Sequence, residues 1–268
     1  MKPIDSLPAT LAPFWAKYPY PVVQLREESP RAVCGFVLTR KQVQELHQLL
    51  PDYTLKLNIL EEASGAPLYL GKDSVLNLYT DPTQSKLSTQ WEDSEPPLKE
   101  MIRSAGFSLV QKQEKTLGWV LSEQLILAEV SKEVPPSSFS REAFVEEAER
   151  HLEISYCLGG RSFSGIDCSG LVQRALWNAC HFNYPRHSRD QMKQGIRCDR
   201  GQERRGDLIF ARPYLKGELS SFFHVAIFLN KDTLLHACRS LGKVVQMSFS
   251  EFFTRYAYAG SRCIPEFS

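Results

Sequence analysis

Two hydrophobic periods divide this chain. From Thr39 the run TRKQVQELHQLL sets Val43, Leu46, Leu49 and Leu50 on one face at helical spacing, and Thr39 and Gln42 have the spacing of a capping box, so a short amphipathic helix is predicted there. Between residues 54 and 130 the runs TLKLNIL, PLYL, SVLNLY, FSLVQKQ and LGWVL alternate with turn formers such as Ser64-Gly65, Gly71-Lys72-Asp73 and Asp81-Pro82. Many short strands at such close spacing predict a small β-barrel. The first thirty residues hold six of the 16 prolines and are expected to run extended over the surface of the rest of the chain. The proline- and serine-rich stretch VSKEVPPSSFS has the composition of a linker, which divides the chain into residues 1–130, a linker at 131–140, and residues 141–268. Ser140 is placed to cap a helix that carries Phe144, Val145, Ala148 and Leu152 on one face.

Composition narrows the class. At 268 residues, 43% hydrophobic and 24% charged, the chain has the profile of a globular protein with room for two small domains. A formal charge of +1 supplies no broad basic field for nucleic acid or anionic lipid, so neither is an expected partner. Seven cysteines, Cys34, Cys157, Cys168, Cys180, Cys198, Cys238 and Cys263, are an odd number with no CxxC pair, which argues against a disulfide framework or a cysteine-rich zinc module. Prolines interrupt every apolar run near the N-terminus, where a signal peptide would need roughly 7–15 uninterrupted apolar residues. The expected location is the cytoplasm, where such thiols stay reduced.

The run YCLGGRSFSGIDCSGLVQRALWNAC, beginning at Tyr156, carries the chemistry. Cys168, Leu171, Val172, Ala175, Leu176 and Ala179 lie along one helical face, so Cys168 opens a helix. Unpaired N–H groups and the macrodipole at that end are expected to favour a thiolate and lower the thiol pKa. A buried cysteine is more often simply a small apolar residue. A nucleophile needs an imidazole to take its proton and a third polar group to orient that imidazole. GDLIFA, FFHVAIFL and TLLHAC read as three strands; a hairpin turning at Asn230-Lys231-Asp232 brings His224 near His236. Cys238 shares the strand face of His236, which raises a metal site with Cys168 and His224, but no carboxylate or CxxC spacing supports one.

In order, YCLGG, GIDCSGLVQ, YPRHSRDQ, GDLIF, HVAIFL and LLHA resemble the NlpC/P60 family of papain-like cysteine peptidases over residues 141–268. The resemblance implies an α+β fold with Cys168 as nucleophile, His224 as general base, His236 as the residue that orients it, and no cofactor or metal. It also implies that Tyr156 and the Cys168 N–H stabilise the oxyanion, and that the partner is a peptidoglycan stem peptide cut at the γ-D-glutamyl to diaminopimelate bond. LNLYTDP, LSTQ and GWVLSEQL resemble a bacterial SH3 domain, and an SH3-like barrel ahead of an NlpC/P60 domain is the arrangement of the YkfC-like and cyanobacterial dipeptidyl peptidases. That arrangement implies a cap that admits only stems with a free N-terminal L-Ala, as recycled murein fragments have. By the same resemblance Asp167 and Ser169 bind the L-Ala ammonium, and Ser188 helps hold the γ-glutamyl unit. An acidic or aromatic residue of the SH3-like domain takes part, with Glu92, Asp93 and Glu95 as candidates.

Two other readings fit the same motifs. One is an endopeptidase acting on intact wall or lipid-linked precursor, with the SH3-like domain as a targeting module; the other is a catalytically idle murein-peptide binder. His47, His151 and His181 read as surface or structural groups, and Trp91, Trp119 and Trp177 as core anchors. His187 neighbours Ser188 and reads equally well as a residue lining the site.

Overall fold

The computed structural model describes residues 9–11, 13–14, 24–37, 39–60, 67–128, 137, 140–215 and 217–264. The linker expected at 131–140 lies outside these apart from Ser137 and Ser140. Strands β1 (Gln24–Ser29) and β2 (Ala32–Val37) pair antiparallel, and β3 (Thr54–Ile59) returns parallel to β2 after helix α1 (Arg40–Leu49). The Thr39 capping box is present: its hydroxyl accepts from the Gln42 N–H at 3.3 Å and its own N–H donates to Gln42 Oε1 at 3.1 Å. Leu46 and Leu50 pack on Leu11, Phe14 and Val33, so this early segment contributes core rather than a surface strap. TLKLNIL likewise belongs to this small sheet and not with the strands after it.

Seven strands form the next sheet: β4 (Leu68–Gly71), β5 (Val75–Tyr79), β6 (Leu87–Glu92), β7 (Leu98–Ser104), β8 (Phe107–Gln111), β9 (Leu117–Leu121) and β10 (Leu125–Leu127). Their order, β10-β4-β7-β8-β9-β5-β6, ends on β10 and β6, so among the described residues this is an ordered sheet rather than a closed barrel. Leu76, Leu78, Trp91, Leu98, Val110 and Val120 form its core.

Helix α2 (Arg141–Glu149) begins where Ser140 accepts the Ala143 N–H at 3.0 Å. A two-stranded ribbon, β11 (Arg161–Ser162) and β12 (Gly165–Ile166), leads into helix α3 (Cys168–Cys180), and a single turn, α4 (Ser188–Gln191), follows. The last sheet contains β13 (Ile196–Cys198), β14 (Leu208–Leu215), β15 (Glu218–Leu219), β16 (His224–Asn230), β17 (Thr233–Cys238), β18 (Lys243–Ser248) and β19 (Tyr256–Cys263), with α5 (Phe249–Arg255) before the final strand. Its order is β13-β19-β14-β16-β17-β18, and β15 pairs onto β14. Both faces are covered. Val225, Ile227, Leu235 and Ala237 pack on α3, whereas Ala226, Phe228, Leu234 and Cys238 pack beside Phe252 of α5. Burial on both faces accounts for the nearly unbroken apolar run HVAIFL.

Candidate active site

Cys168 is the first residue of α3 and Asp167 its N-cap. Asp167 Oδ1 accepts the Gly170 N–H at 2.7 Å and Oδ2 the Gly159 N–H at 2.8 Å. Arg186 grips the same carboxylate through two nitrogens, at 2.9 and 2.6 Å, and also donates to Ser169 Oγ at 2.9 Å. Ser169 Oγ donates to Asp167 Oδ1 at 3.2 Å. Burial pushes the Asp167 carboxyl up, but the Arg186 guanidinium and these hydrogen bonds outweigh it and hold the group below its ordinary value. Five donors saturate the carboxylate. Asp167 thus caps α3, and Asp167 and Ser169 together hold Arg186 in place.

The loop before α3 is built by close approach. Gly159 has φ +89, and a Cβ there would stand 2.5 Å from the Leu87 carbonyl oxygen of β6. Tyr156, just ahead of it, is half-buried and donates its backbone N–H to Gly242 O at 2.7 Å. Burial, then the nearby Cys168 and Asp167, raise its phenol pKa, so the hydroxyl stays protonated and able to donate.

His224 heads β16, and His236 lies in β17. With Ile227 opposite Leu235, the two histidines stand diagonally on one face, and His224 Nε2 meets His236 Nδ1 at 2.8 Å. The pair is sealed: Tyr256 stacks on the His224 ring at 4.6 Å and 15°, and Phe252 meets His236 edge-on at 5.2 Å. Ser188 Oγ donates to Phe223 O at 2.8 Å, which anchors α4 to the start of β16 and gives Ser188 a positioning role. Sequence reasoning missed Phe252 and Tyr256, because FSEFFTRY reads as an ordinary apolar helix face.

The thiol lies where α3 meets the head of β16: the N–H groups of Val225 and Ser169 both act on the Cys168 sulfur. Burial and then the Asp167 charge nevertheless push the Cys168 pKa up to about 12, and burial takes His224 down to about 3. The direction is opposite to the lowering expected of a helix N-terminus: desolvation, then the N-cap carboxylate, outweighs the Val225 and Ser169 N–H groups and the Arg186 charge. At rest the site holds a neutral thiol and a neutral imidazole. Since His236 occupies Nε2 of His224, Nδ1 is the nitrogen left to receive a proton.

A cavity of about 320 Å³ opens between the seven-stranded sheet and the loop ahead of α4, with Tyr79, Glu114, Trp119, Arg186, His187 and Asp190 in its wall. Glu114, its side chain 6% exposed, has Oε1 3.7 Å from Lys112 Nζ, yet among the described residues Oε1 has no hydrogen-bond partner, and neither has Trp119 Nε1. Trp119 therefore lines the cavity as well as anchoring core. Burial and the Arg186 charge lower His187 to about 4. Glu92 and Glu95 are not in this wall. Glu95 bridges Arg161 at 2.5 Å and Lys112 at 2.6 Å, and Glu92 meets Arg174 at 2.5 Å, which joins β6 to β11 and α3. Asp93 is absent from the wall too.

Comparison with known proteins agrees with this geometry: residues 153–262 match the NlpC/P60 family. These residues are an NlpC/P60 domain. Over 109 residues the chain is 32% identical to the murein DD-endopeptidase MepS/murein LD-carboxypeptidase of Escherichia coli strain K12, covering 41% of this chain and 55% of that protein. Over 119 residues it is 29% identical to the homologous γ-D-glutamyl-L-lysine dipeptidyl-peptidase of Bacillus cereus, covering 44% of this chain and 34% of that one. A crystal structure of an NlpC/P60 family protein from Bacillus cereus covers 76% of this chain and 65% of its own at 19% identity, with a TM-score of 0.40. The chain thus spans about half the length of the first of these relatives, or less.

The remaining histidines of the NlpC/P60 domain have structural surroundings. His151 Nδ1 meets Glu147 O at 2.9 Å and its ring stacks on Phe163; His181 is the left-handed cap of α3 and lies edge-on to Trp177. Cys238 faces Ser240 and Tyr256. Among the described residues no cluster of three His, Cys, Asp or Glu side chains is placed to hold a metal ion, and no helix is long and apolar enough to cross a membrane.

Among the described residues His236 Nε2 is buried without a hydrogen-bond partner, so the ring meets His224 through Nδ1. His236→Asn, which keeps a polar group on this strand, is expected to retain roughly ten times more kcat/KM than His236→Ala. Equal losses in the two variants, measured on the same peptide, would assign His236 to packing alone.

Buried neutral imidazoles also make stability depend on pH. His187 is lowered to about 4, His224 to about 3 and His236 well below its ordinary value, in each case chiefly by burial. The unfolded chain takes up these protons near pH ~6.5, so stability is complete above that value and is lost as pH falls towards the folded values. Each ring contributes a slope approaching about 1.4 kcal/mol per pH unit, so the three together cost roughly 3–4 kcal/mol between pH ~7 and ~5.5. Urea titrations at constant ionic strength measure this, and an unchanged midpoint across that range would contradict it.

Proposed function

We propose that this protein is a cysteine peptidase that hydrolyses the γ-D-glutamyl to diaminopimelate bond of murein-derived peptides with a free N-terminal L-Ala. The observation that carries the reading is the His224 Nε2 to His236 Nδ1 contact at 2.8 Å, directly beside the Val225 N–H that acts on the Cys168 sulfur. The Cys168 proton passes to His224 Nδ1 as sulfur attacks the γ-carbonyl carbon. Tyr156 O–H and the Cys168 N–H hold the oxyanion. The C–N bond breaks as His224 returns the proton to the leaving amine, and water, giving a proton to His224, cleaves the thioester to free acid and thiol.

The N-terminal sheet is read as the SH3-like cap of residues 1–130. In this reading it closes the acyl side of the cleft, and Glu114, whose Oε1 accepts no hydrogen bond among the described residues, meets the substrate ammonium. The names of the relatives, a murein endopeptidase and a γ-D-glutamyl-L-lysine dipeptidyl-peptidase, support a peptidoglycan peptide as substrate. A cytoplasmic recycling role accords with seven free thiols. The test is incubation with L-Ala-γ-D-Glu-diaminopimelate, followed by mass spectrometry. L-Ala-D-Glu and the free diamino acid are the expected products, with none from Cys168→Ala and little from the N-acetylated peptide. Equal cleavage of the acetylated peptide favours an endopeptidase of intact wall or lipid-linked precursor. Binding without cleavage favours an idle binder.

A further inference from the structure

The turn between β17 and β18 is fixed to the oxyanion side of the cleft. Gly242 O accepts the Tyr156 N–H at 2.7 Å, Ser155 bridges to Lys243, and the turn closes as the Gly242 N–H donates to Arg239 O at 3.3 Å. Arg239 stands three residues after His236 and is exposed. The neighbouring cations are neutralised: Lys243 pairs with Glu153 at 2.5 Å, and Arg255 pairs with Glu251 at 2.8 Å while also donating to Ser240 Oγ. Arg239 meets no carboxylate among the described residues. Its charge nonetheless reaches the Tyr156 phenol, where it opposes the effect of burial. A guanidinium with no carboxylate partner among the described residues, on a turn anchored to Tyr156, suits a carboxylate ligand, because its fork matches that group in two parallel hydrogen bonds.

We propose that Arg239 binds a substrate carboxylate next to the scissile bond and makes the enzyme selective for the unamidated peptide. The inference rests on the peptidase reading above. Two carboxylates of one chemistry are candidates for such a group: the α-carboxylate of the γ-linked D-Glu, whose carbon is four bonds from the scissile carbonyl carbon, and the α-carboxylate of the leaving diamino acid. Arg239 is absent from the wall of the cavity assigned above to the L-Ala end, so its contact is separate from that of Glu114.

The experiment compares three peptides, L-Ala-γ-D-Glu-diaminopimelate, its D-Glu α-amide and its diaminopimelate α-amide, with the intact protein and with Arg239→Gln and Arg239→Lys. Wild type is expected to favour the unamidated peptide over one of the amides by roughly tenfold or more, mainly through KM, as for a lost charge-assisted contact. Arg239→Gln abolishes that preference by raising KM for the unamidated peptide towards that of the disfavoured amide, and Arg239→Lys restores part of it. Whichever amide is disfavoured identifies the carboxylate. An equal loss on all three peptides, or no loss, overturns the inference. Calorimetric binding of the same peptides to Cys168→Ala, with and without Arg239→Gln, reads the contact without chemistry. If wild type cleaves nothing but Cys168→Ala still discriminates through Arg239, the peptidase reading fails and this one stands; if binding shows no discrimination, this one fails.

Discussion

Cys168→Ala is expected to lower kcat/KM by roughly 10⁴-fold or more, measured on the tripeptide, with the fold intact. The thiol is only 9% exposed and packs with Leu171, Val172 and Val225, so the variant loses one sulfur from a core that stays otherwise filled. Cys168→Ser is expected to be nearly as inactive. His224, held at about 3, is too weak a base for a hydroxyl, whereas a thiol releases its proton far more readily. The resting pair being neutral, alkylation of Cys168 by iodoacetamide rises steadily into the alkaline range without a plateau near pH ~6. Turnover by Cys168→Ala at even one-tenth of wild type would remove this residue from the chemistry.

The second large effect lies away from the reacting atoms. Glu95 is 4% exposed and receives Arg161 and Lys112 at once, with Arg174 at 3.8 Å. Burial raises its carboxyl, but those three cations dominate and hold it at about 2. Glu95→Ala leaves the desolvated Arg161 without a carboxylate and Lys112 with only Glu114 at 3.7 Å, and is expected to destabilise the protein by about 3–5 kcal/mol in urea unfolding. Glu95→Gln, which keeps hydrogen-bonding capacity without the charge, falls between. A change below about 1 kcal/mol for Glu95→Ala would mean that water already reaches this cluster.

What the sequence revealed depended on distance along the chain. The α3 face, its start at Cys168 and the His224–His236 hairpin are local patterns, and each was legible. Glu114 was not, because only the tertiary fold sets it in one wall with Arg186. Alternation in TLKLNIL marks a strand without naming its neighbour, so its parallel pairing with β2 was hidden. The rise in the Cys168 pKa was hidden for another reason. A helix N-terminus is a sequence-level feature, whereas desolvation and a saturated carboxylate are properties of the packed site.

Gly159 gives the two halves of this chain a shared inheritance. Its positive φ, with the Leu87 carbonyl where a side chain would begin, leaves no other residue at that position compatible with this sheet. An NlpC/P60 domain transplanted from a protein with a side chain there would not accept this N-terminal region, whatever linker joined them. Recombination with a relative that carries a side chain at this position is therefore expected to succeed only where the cut leaves β6 and the loop ahead of α3 with the same parent.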